Sequence, residues 1–245
     1  TFDDAQALKA ELSPGRRVIV IGGGWIGLEV AASSRQLGCE VTVLEAASRL
    51  CVRTVPPCVS AHLYRLHQSH GVDLRLGDGV RSVNASDNGV RVSLNSGVHV
   101  EGDVLVVGIG LTANDQLAAE AGLAVGNGVL TDAQGRTEDP AVFAVGDVAN
   151  AMRSHGERLR IESWENAERQ AVAAARAALG LAQAPGADAA PWFWSDQYDD
   201  NLQVLGLPGR RSEFDEFETV DPHRALEGGD LHAGCGLCVH GVRPD

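Results

Sequence analysis

Three glycines at a fixed spacing are the first residues of this 245-residue sequence that could do chemistry. Gly22, Gly24 and Gly27 form a G-x-G-x-x-G pattern directly after the apolar run Val18–Ile21. In such a pattern the first glycine permits a tight turn, the second lets the backbone approach a diphosphate, and the third allows close contact between helix and strand. Amide groups at the start of the following helix attract phosphate. The pattern therefore predicts a dinucleotide site, against the alternative of a tight turn that binds nothing.

A carboxylate stands where the next apolar run ends. Glu45 follows Val41–Leu44, roughly 20 residues beyond the glycines, where an acid can accept hydrogen bonds from ribose hydroxyls. The same charge would repel a 2′-phosphate, so Glu45 favours NADH over NADPH. Arg49 and Arg53 follow closely and could offset part of that repulsion.

The glycine turn and its acid need a sheet to position them. Continuous apolar runs predict strands buried on both faces, whereas alternating runs separated by short turns predict an antiparallel meander. The continuous runs are Val18–Ile21, Val41–Leu44 and Val104–Val107, and a further strand is expected at Val72–Leu76. The alternating runs are Val80–Ala85, Val90–Leu94 and Val98–Glu101, and helices are expected over Ile26–Leu37 and Val59–Ser69. We predict an α/β fold with a Rossmann-like, three-layer dinucleotide-binding domain and an inserted antiparallel meander, over residues 1–112.

The remaining chain predicts two further parts, 113–185 and 186–245. The expected elements are a short helix at Leu117–Ala121, a buried strand at Val142–Val145, a long helix at Ile161–Leu179, a linker at Ala182–Ala190 and strand-like runs towards the end. Asp147 follows the apolar strand. At the end of a strand its carboxylate could bind a hydroxyl of a polyol ligand. The spacing is equally compatible with an N-cap of the helix that follows.

Cysteines and histidines offer weaker candidates. Cys235 and Cys238 could form a redox pair or half a metal site, but two small apolar residues on a strand is the favoured interpretation. His62, His67 and His70 share one predicted helix at a spacing that is poor for a common metal ion, so we expect them on the solvated surface. We predict no metal site.

Composition excludes several classes of function. Acidic residues outnumber basic ones by 33 to 20, and the formal net charge of −13 argues against a nucleic-acid partner. No apolar run approaches the roughly 20 residues of a membrane helix, and Thr1–Glu11 lacks the pattern of a secretory signal. We expect a cytoplasmic protein that does not associate with membranes.

Six ordered motifs resemble the oxygenase-coupled NADH–ferredoxin reductases. The motifs are Val18–Ala31 (VIVIGGGWIGLEVA), Glu45–Ala46, Gly108–Gly110, Asp139–Ala149 (DPAVFAVGDVA), Glu162–Gln170 (ESWENAERQ) and Trp192–Tyr198 (WFWSDQY). Members of that family are flavoproteins that pass electrons from NADH to a small 2Fe-2S ferredoxin, which feeds an aromatic-ring dioxygenase or a haem monooxygenase. The resemblance covers Thr1 to about Leu207 and fades beyond it.

The resemblance implies a role for each matching residue. The NADH set consists of Gly22, Gly24, Trp25, Ile26 and Gly27 at the diphosphate, Glu45 and Arg53 at the adenosine half, and Glu29, Gly108, Ile109 and Gly110 near the nicotinamide. The FAD set consists of Gly146 and Asp147 at the ribityl chain and Glu162, Trp164 and Trp194 along the isoalloxazine. The resemblance implies no catalytic acid or base, because the two cofactors carry the hydride chemistry and the protein orients them.

Two departures from the family's pattern leave alternatives open. This sequence does not contain the segment that would hold the ADP half of FAD, and Leu226–Asp245 matches the family's last strands only loosely. We therefore expect a partial FAD domain and a partial α+β C-terminal domain. The alternatives are a related NADH-dependent reductase that serves rubredoxin, nitrite or a disulfide, and a truncated or non-catalytic NAD-binding module.

Overall fold

A computed structural model describes residues 1–87, 89–154, 156–182 and 190–206, and the backbone of 218–219 and 237–242. Most of the predicted linker, Asn88 of the predicted meander turn, and the side chains of Cys235 and Cys238 lie outside that description. The described chain forms two compact units, one of residues 1–110 and 194–202 and the other of 111–193 and 203–206. The predicted three-part division of the chain stays a prediction.

The first unit is built around a parallel sheet. After helix α1 (Phe2–Glu11) come β1 (Arg17–Ile21), α2 (Trp25–Gln36), β2 (Glu40–Glu45), α3 (Pro57–Ser69) and β3 (Asp73–Leu76), and β7 (Val104–Val107) returns to the same sheet. The order is β3-β2-β1-β7, with every pair parallel. Strand β1 lies between two neighbours, where Val20 is level with Val43 and Val106, so its apolar run is buried as the sequence predicts.

Side chains that alternate along β1 bury two different layers. Val18 and Val20 pack with Ala31 of α2 and with the β2 valines on the helical face. Ile19 packs on the other face against the meander, through Val92 and Val100. The meander consists of β4 (Val80–Ser86), β5 (Gly89–Leu94) and β6 (His99–Gly102), paired antiparallel in that order. This helix–sheet–meander arrangement confirms the predicted fold class.

The second unit holds a smaller sheet and one long helix. Its elements are α4 (Gln116–Glu120), β8 (Val129–Thr131), a 3-10 turn (Gly146–Val148), β9 (Ala149–Met152), β10 (Arg158–Leu159) and α5 (Trp164–Ala178). Strand β9 pairs in parallel with β8 and antiparallel with β10. Further along the chain, β11 (Trp192–Gln197), β12 (Asp200–Leu205), β13 (Glu218–Thr219) and β14 (Leu237–Val242) form a sheet in the order β11-β12-β14-β13.

Two predicted elements of this unit are wrong. Val142–Val145 is not a buried strand: Phe143 makes one isolated bridge with Arg136, and Val142 is 37% exposed. An apolar run becomes a buried strand only when neighbours pair along it, and the described residues supply a single bridge. The long helix begins at Trp164 and not at Ile161, because the hydroxyl of Ser163 accepts a hydrogen bond from the Asn166 amide and caps the helix there.

Among the described residues, no helix combines the length and the apolar character needed to cross a membrane.

An ion pair joins the starts of β1 and β7. The backbone amide and guanidinium of Arg17 donate to the Asp103 carboxylate at 2.9 and 2.6 Å, and the Asp103 amide donates to the Arg17 carbonyl at 2.8 Å. The hydrogen bonds from Arg17 lower the pKa of Asp103 to about 2. The charged carboxylate is thus the form that the fold favours.

We predict that Asp103→Asn reduces the acid sensitivity of the fold. Because folding lowers the pKa of Asp103, its charged carboxylate stabilises the fold above the unfolded pKa of about 4. This stabilisation is lost as the pH falls towards about 2. At neutral pH the Tm of the variant should be a few degrees lower than that of the parent, which corresponds to a loss of about 1 kcal/mol. Between these two pH values the Tm of the variant should fall less than that of the parent. Melting curves of the variant and of Asp73→Asn, a control in a local surface pair, test this. Parallel pH profiles for the parent and Asp103→Asn would contradict it.

Candidate dinucleotide-binding site

The glycine turn after β1 is shaped by backbone segments that approach too closely for any side chain. Gly22 has φ +109°, and a Cβ built there would lie 2.3 Å from the Gly108 carbonyl oxygen. A Cβ on Gly27 would lie 2.0 Å from the carbonyl oxygen of Gly22. The first and third glycines therefore fix the contact of the turn with helix α2 and with the end of β7, as their spacing predicts.

Gly24 differs, since a Cβ there would meet no protein atom within 4 Å. It caps the start of α2 with extended backbone, φ −86° and ψ −176°, and contributes no side-chain cap. An open position at the start of a helix fits a diphosphate. Trp25 and Ile26 form the first turn of α2, where Ile26 is 51% exposed.

The carboxylate of Glu45 is part of the turn itself. Its Oε2 accepts a hydrogen bond from the Gly23 amide at 2.6 Å, and its Oε1 accepts one from the Ala47 amide at 2.7 Å. Sequence analysis missed this role, because motif spacing relates Glu45 to a ligand and not to a backbone amide. Each oxygen can still accept a hydrogen bond from a ribose hydroxyl. The arrangement is thus compatible with the predicted ribose contact, which stays a prediction.

A buried thiol lies beneath the turn. The Cys51 amide donates to the Gly23 carbonyl at 2.9 Å, and its Sγ lies 3.6 Å from the same oxygen. Burial, with a contribution from the charge of Glu45, raises the pKa of the Cys51 thiol to about 12. The thiol is therefore neutral and unreactive at neutral pH, and it acts as packing for Gly23.

The two arginines after Glu45 have different surroundings. The Arg49 guanidinium donates to the carbonyls of Val52 and Val55 and to the Ser60 hydroxyl, at 2.8–2.9 Å. It holds its own loop, which leaves little of its donor capacity for a phosphate. Arg53 is exposed, and its Nη2 lies 3.7 Å from the position of a Cβ on Gly110. Arg53 is thus placed beside the loop predicted to lie near the nicotinamide.

The Gly108–Gly110 loop and Glu29 are two further parts of the predicted nicotinamide set. The Gly108 amide continues the strand pairing with the Ile21 carbonyl at 2.8 Å, Gly110 has φ +135°, and Ile109 is 69% exposed. Glu29 is half-buried in α2 and accepts a hydrogen bond of 2.6 Å from the Ser195 hydroxyl. Burial raises the pKa of the Glu29 carboxyl; the Ser195 hydrogen bond opposes that rise, and the nearby Asp196 adds to it.

In the second unit, Arg160 and Gln170 bring part of the predicted flavin set together. The Gly146 amide donates to Gln170 at 2.8 Å, with φ +74° at Gly146. Arg160 donates to the Asp147 carbonyl at 3.2 Å and pairs with Glu162 at 2.5 Å. Asp147 is left exposed at the start of its 3-10 turn, which fits a polyol ligand better than the alternative helix N-cap.

The two predicted flavin-side tryptophans belong to different units. Trp164 is 67% exposed on α5 of the second unit, and Trp194 is 38% exposed in the part of β11 that belongs to the first. Their predicted place along an isoalloxazine stays a prediction.

One expectation about the α3 histidines is wrong. His67 is not on the surface: it is fully buried, and burial lowers its pKa to about 4, so the ring is neutral at neutral pH. His62 pairs with Asp200 at 2.9 Å, and the exposed His70 stacks on Tyr198 at 3.7 Å between ring centroids. The sequence gives no signal for this, because the partners lie about 130 residues away, in β11 and just after it.

Comparison with known proteins identifies the family. Residues 1–171 match the pyridine nucleotide-disulphide oxidoreductase family, and residues 192–214 match the reductase C-terminal family. This chain belongs to the pyridine nucleotide-disulphide oxidoreductases. The dinucleotide-binding turn of the first unit is thus part of an oxidoreductase scaffold, as the sequence motifs predict.

Individual members of the family that are similar to this chain include ferredoxin reductases. The ferredoxin–NAD(+) reductase component of the anthranilate 1,2-dioxygenase system of Burkholderia cepacia is 48% identical over 210 residues, which are 85% of this chain and 51% of that protein. The ferredoxin reductase for the CYP199A2 system of Rhodopseudomonas palustris is 39% identical, with a TM-score of 0.79 over 84% of this chain and 51% of that one. The chain spans about half the length of the relatives it matches.

A second solved structure is that of a covalent putidaredoxin reductase–putidaredoxin complex. It is 40% identical, with a TM-score of 0.78, and the match covers 84% of this chain and 50% of that one. The predicted resemblance to oxygenase-coupled reductases is confirmed by these relatives.

We predict opposite effects for alanine at two glycines of the turn. Gly27→Ala places a methyl group against the Gly22 carbonyl and should cost about 2 kcal/mol or more of unfolding free energy. Gly24→Ala meets no atom, so it should cost less than about 1 kcal/mol, yet weaken NADH binding at least tenfold by filling the space where a diphosphate would approach. Thermal melts and NADH titration measure the two effects. Equal stability losses at both positions would show that the turn geometry is misassigned.

Proposed function

We propose that this chain is the NADH-binding half of an FAD-dependent reductase that takes a hydride from NADH and delivers electrons to the 2Fe-2S ferredoxin of an oxygenase system. The observation that carries the proposal is the glycine turn, where an open Gly24 adjoins the start of α2 and the Glu45 carboxylate. The ferredoxin reductase components among the similar proteins support the choice of acceptor.

The residues of the first unit would bind and orient the coenzyme. The α2 amide groups and Gly24 would hold the diphosphate, and Glu45 the adenosine ribose. The Gly108–Gly110 loop and Glu29 would border the nicotinamide, while the exposed side chains of Ile26 and Ile109 would exclude water from it. NADH and FAD supply the hydride chemistry when they are bound, so no protein acid or base is required.

NADH is the proposed coenzyme in preference to NADPH. A 2′-phosphate beside the Glu45 carboxylate would meet a like charge, and Arg49 has its guanidinium committed to its own loop. Arg53, the other arginine after Glu45, lies next to Gly110, in the loop proposed to border the nicotinamide. The balance of charge at the adenosine end thus favours the unphosphorylated ribose.

Support for FAD comes from the second unit. Asp147 is exposed on a turn that Gln170 and Arg160 hold through the backbone, which suits the hydroxyls of a ribityl chain. Glu162, Trp164 and Trp194 remain proposed isoalloxazine contacts. The cytoplasm stays the proposed location. Rubredoxin, nitrite and a disulfide remain the alternative acceptors within the same scaffold.

A second candidate is an NAD-binding module without turnover. It is favoured by one observation, that the glycine turn, Glu45 and the Gly108–Gly110 loop all belong to the first unit. Calorimetric titration of this chain with NADH, NADPH and FAD separates the two candidates. Binding of both NADH and FAD supports the reductase, whereas NADH binding without any FAD binding supports the module.

Turnover requires a test of its own. We would join this chain to the N-terminal flavin-binding segment of a relative and follow bleaching of the flavin by NADH, then reduction of a 2Fe-2S ferredoxin. Bleaching with ferredoxin reduction is the expected result. Bound FAD that NADH fails to bleach would overturn the proposal.

We predict that Glu45→Gln relaxes the coenzyme preference. The substitution removes the charge that would repel a 2′-phosphate and weakens the hydrogen bonds that hold Gly23 and Ala47. NADH affinity should fall about tenfold, the usual cost of one charge-assisted hydrogen bond, and the ratio of NADPH to NADH affinity should rise. Fluorescence titration with both coenzymes checks this, with Glu40→Gln at the exposed start of β2 as the matched control. An unaltered ratio in Glu45→Gln would remove the basis for NADH selectivity.

A further inference from the structure

Five polar side chains of the first unit form one continuous line of hydrogen bonds. The Tyr198 hydroxyl lies 3.1 Å from His67 Nδ1, and His67 Nε2 lies 2.7 Å from Gln197 Oε1. Gln197 Nε2 donates to Ser195 Oγ at 2.9 Å, and Ser195 Oγ donates to Glu29 Oε1 at 2.6 Å. The line runs from the turn after β11 through α3 to α2, and ends on the carboxylate two residues beyond Gly27.

Chemistry at the carboxylate end fixes the direction of every bond. Ser195 Oγ donates its single hydroxyl proton to Glu29 Oε1, so its remaining capacity is as an acceptor. Ser195 then accepts from the Gln197 amide NH2, whose carbonyl oxygen must accept from His67 Nε2–H. A neutral His67 protonated at Nε2 leaves Nδ1 to accept the Tyr198 hydroxyl. All four bonds therefore donate in one sense, towards Glu29.

The line is buried along most of its length. Ser195, Gln197 and His67 are at most 2% exposed, and Tyr198 is 7% exposed. Burial is the main reason that the pKa of His67 falls to about 4, and the neighbouring His70 also lowers it, while the Gln197 hydrogen bond opposes the shift. The ring is neutral at neutral pH, as the bond directions require. Buried, fully paired polar groups strengthen one another in a low dielectric.

A structural role alone does not explain why the line ends on a carboxylate. Residues 194–202 could have been packed against α2 and α3 by apolar contacts, as Leu202 and Val204 are in their own strand. Instead, Ser195 is the one residue in the described part of the chain that donates a hydrogen bond to Glu29. It opposes the effects of burial and of Asp196, both of which favour protonation of that carboxyl.

We propose that Ser195, Gln197, His67 and Tyr198 are positioning residues that hold the Glu29 carboxylate in one orientation, with its other oxygen available to the nicotinamide end of NADH. The inference rests on the proposed function, in which Glu29 borders the nicotinamide. It adds that recognition of the nicotinamide is set by side chains of α3 and of residues 195–198, which do not touch the coenzyme themselves.

The test compares NADH with ADP-ribose, which lacks the nicotinamide. In Ser195→Ala the NADH Kd should rise about tenfold, the effect of losing the charge-assisted hydrogen bond that orients the carboxylate, while the ADP-ribose Kd should not change. Ser93→Ala, which removes a hydroxyl from the exposed meander, is the matched control. Binding of ADP-ribose also reports that each variant is folded.

Two further measurements separate positioning from simple packing. In a Glu29→Ala background, Ser195→Ala should have no additional effect on the ratio of NADH to ADP-ribose affinity, because Ser195 acts through Glu29. Carbon-13 NMR of the Glu29 carboxyl should show its pKa rising in Ser195→Ala and, to a smaller extent, in Tyr198→Phe. Tyr198→Phe keeps the ring that stacks on His70 and removes only the hydroxyl.

Each alternative has its own outcome. If Ser195→Ala weakened the binding of NADH and of ADP-ribose equally, the positioning role would be overturned and a packing role would remain. The same conclusion would follow if Ser195→Ala lowered the ratio of NADH to ADP-ribose affinity by the same factor with and without the Glu29 side chain. An unchanged NADH Kd and an unchanged Glu29 pKa would overturn it as well. Failure of the parent chain to bind either ligand would instead overturn the proposed function.

Discussion

Backbone contact among Gly22, Gly27 and Gly108 is the constraint on which the rest of the first unit depends. A carbonyl oxygen occupies the space of a side chain at two of these positions, at 2.0 and 2.3 Å from a built Cβ. The contact joins the ends of β1 and β7 to the start of α2. It therefore determines where the first amide groups of the helix point and where Gly24 leaves an opening. Interiors are packed too densely to absorb a change there by small shifts elsewhere.

Both acidic side chains near the turn are held by the protein before any ligand arrives. Glu45 is fixed by two backbone amides, and Glu29 by the hydroxyl of Ser195. Holding acceptors in place in advance reduces the conformational entropy that binding must otherwise overcome. The two differ in the origin of their support, since Glu45 uses its own neighbourhood and Glu29 uses residues far along the chain.

The sequence predicts strands well where a neighbouring strand pairs along the whole apolar run. Val18–Ile21 and Val104–Val107 become central or paired strands because parallel partners complete their hydrogen bonds. Val142–Val145 has the same apolar character, yet only Phe143 makes a bridge within the described residues. Apolar character measures the tendency to be buried, whereas a strand also requires a partner for its backbone groups, which the local sequence does not encode.

The sequence by itself determined the glycine turn, the succession of strands and helices along the chain around it, and the acid at the end of β2, because these depend on local spacing and on the two periodicities of helix and strand. Only the tertiary structure decided that Glu45 binds the turn, that Arg49 is committed to its own loop, and that His67 is buried against Gln197. These side chains meet partners brought to them by the fold across as many as 130 residues. No periodicity records such a contact, since it forms only when separate elements pack together.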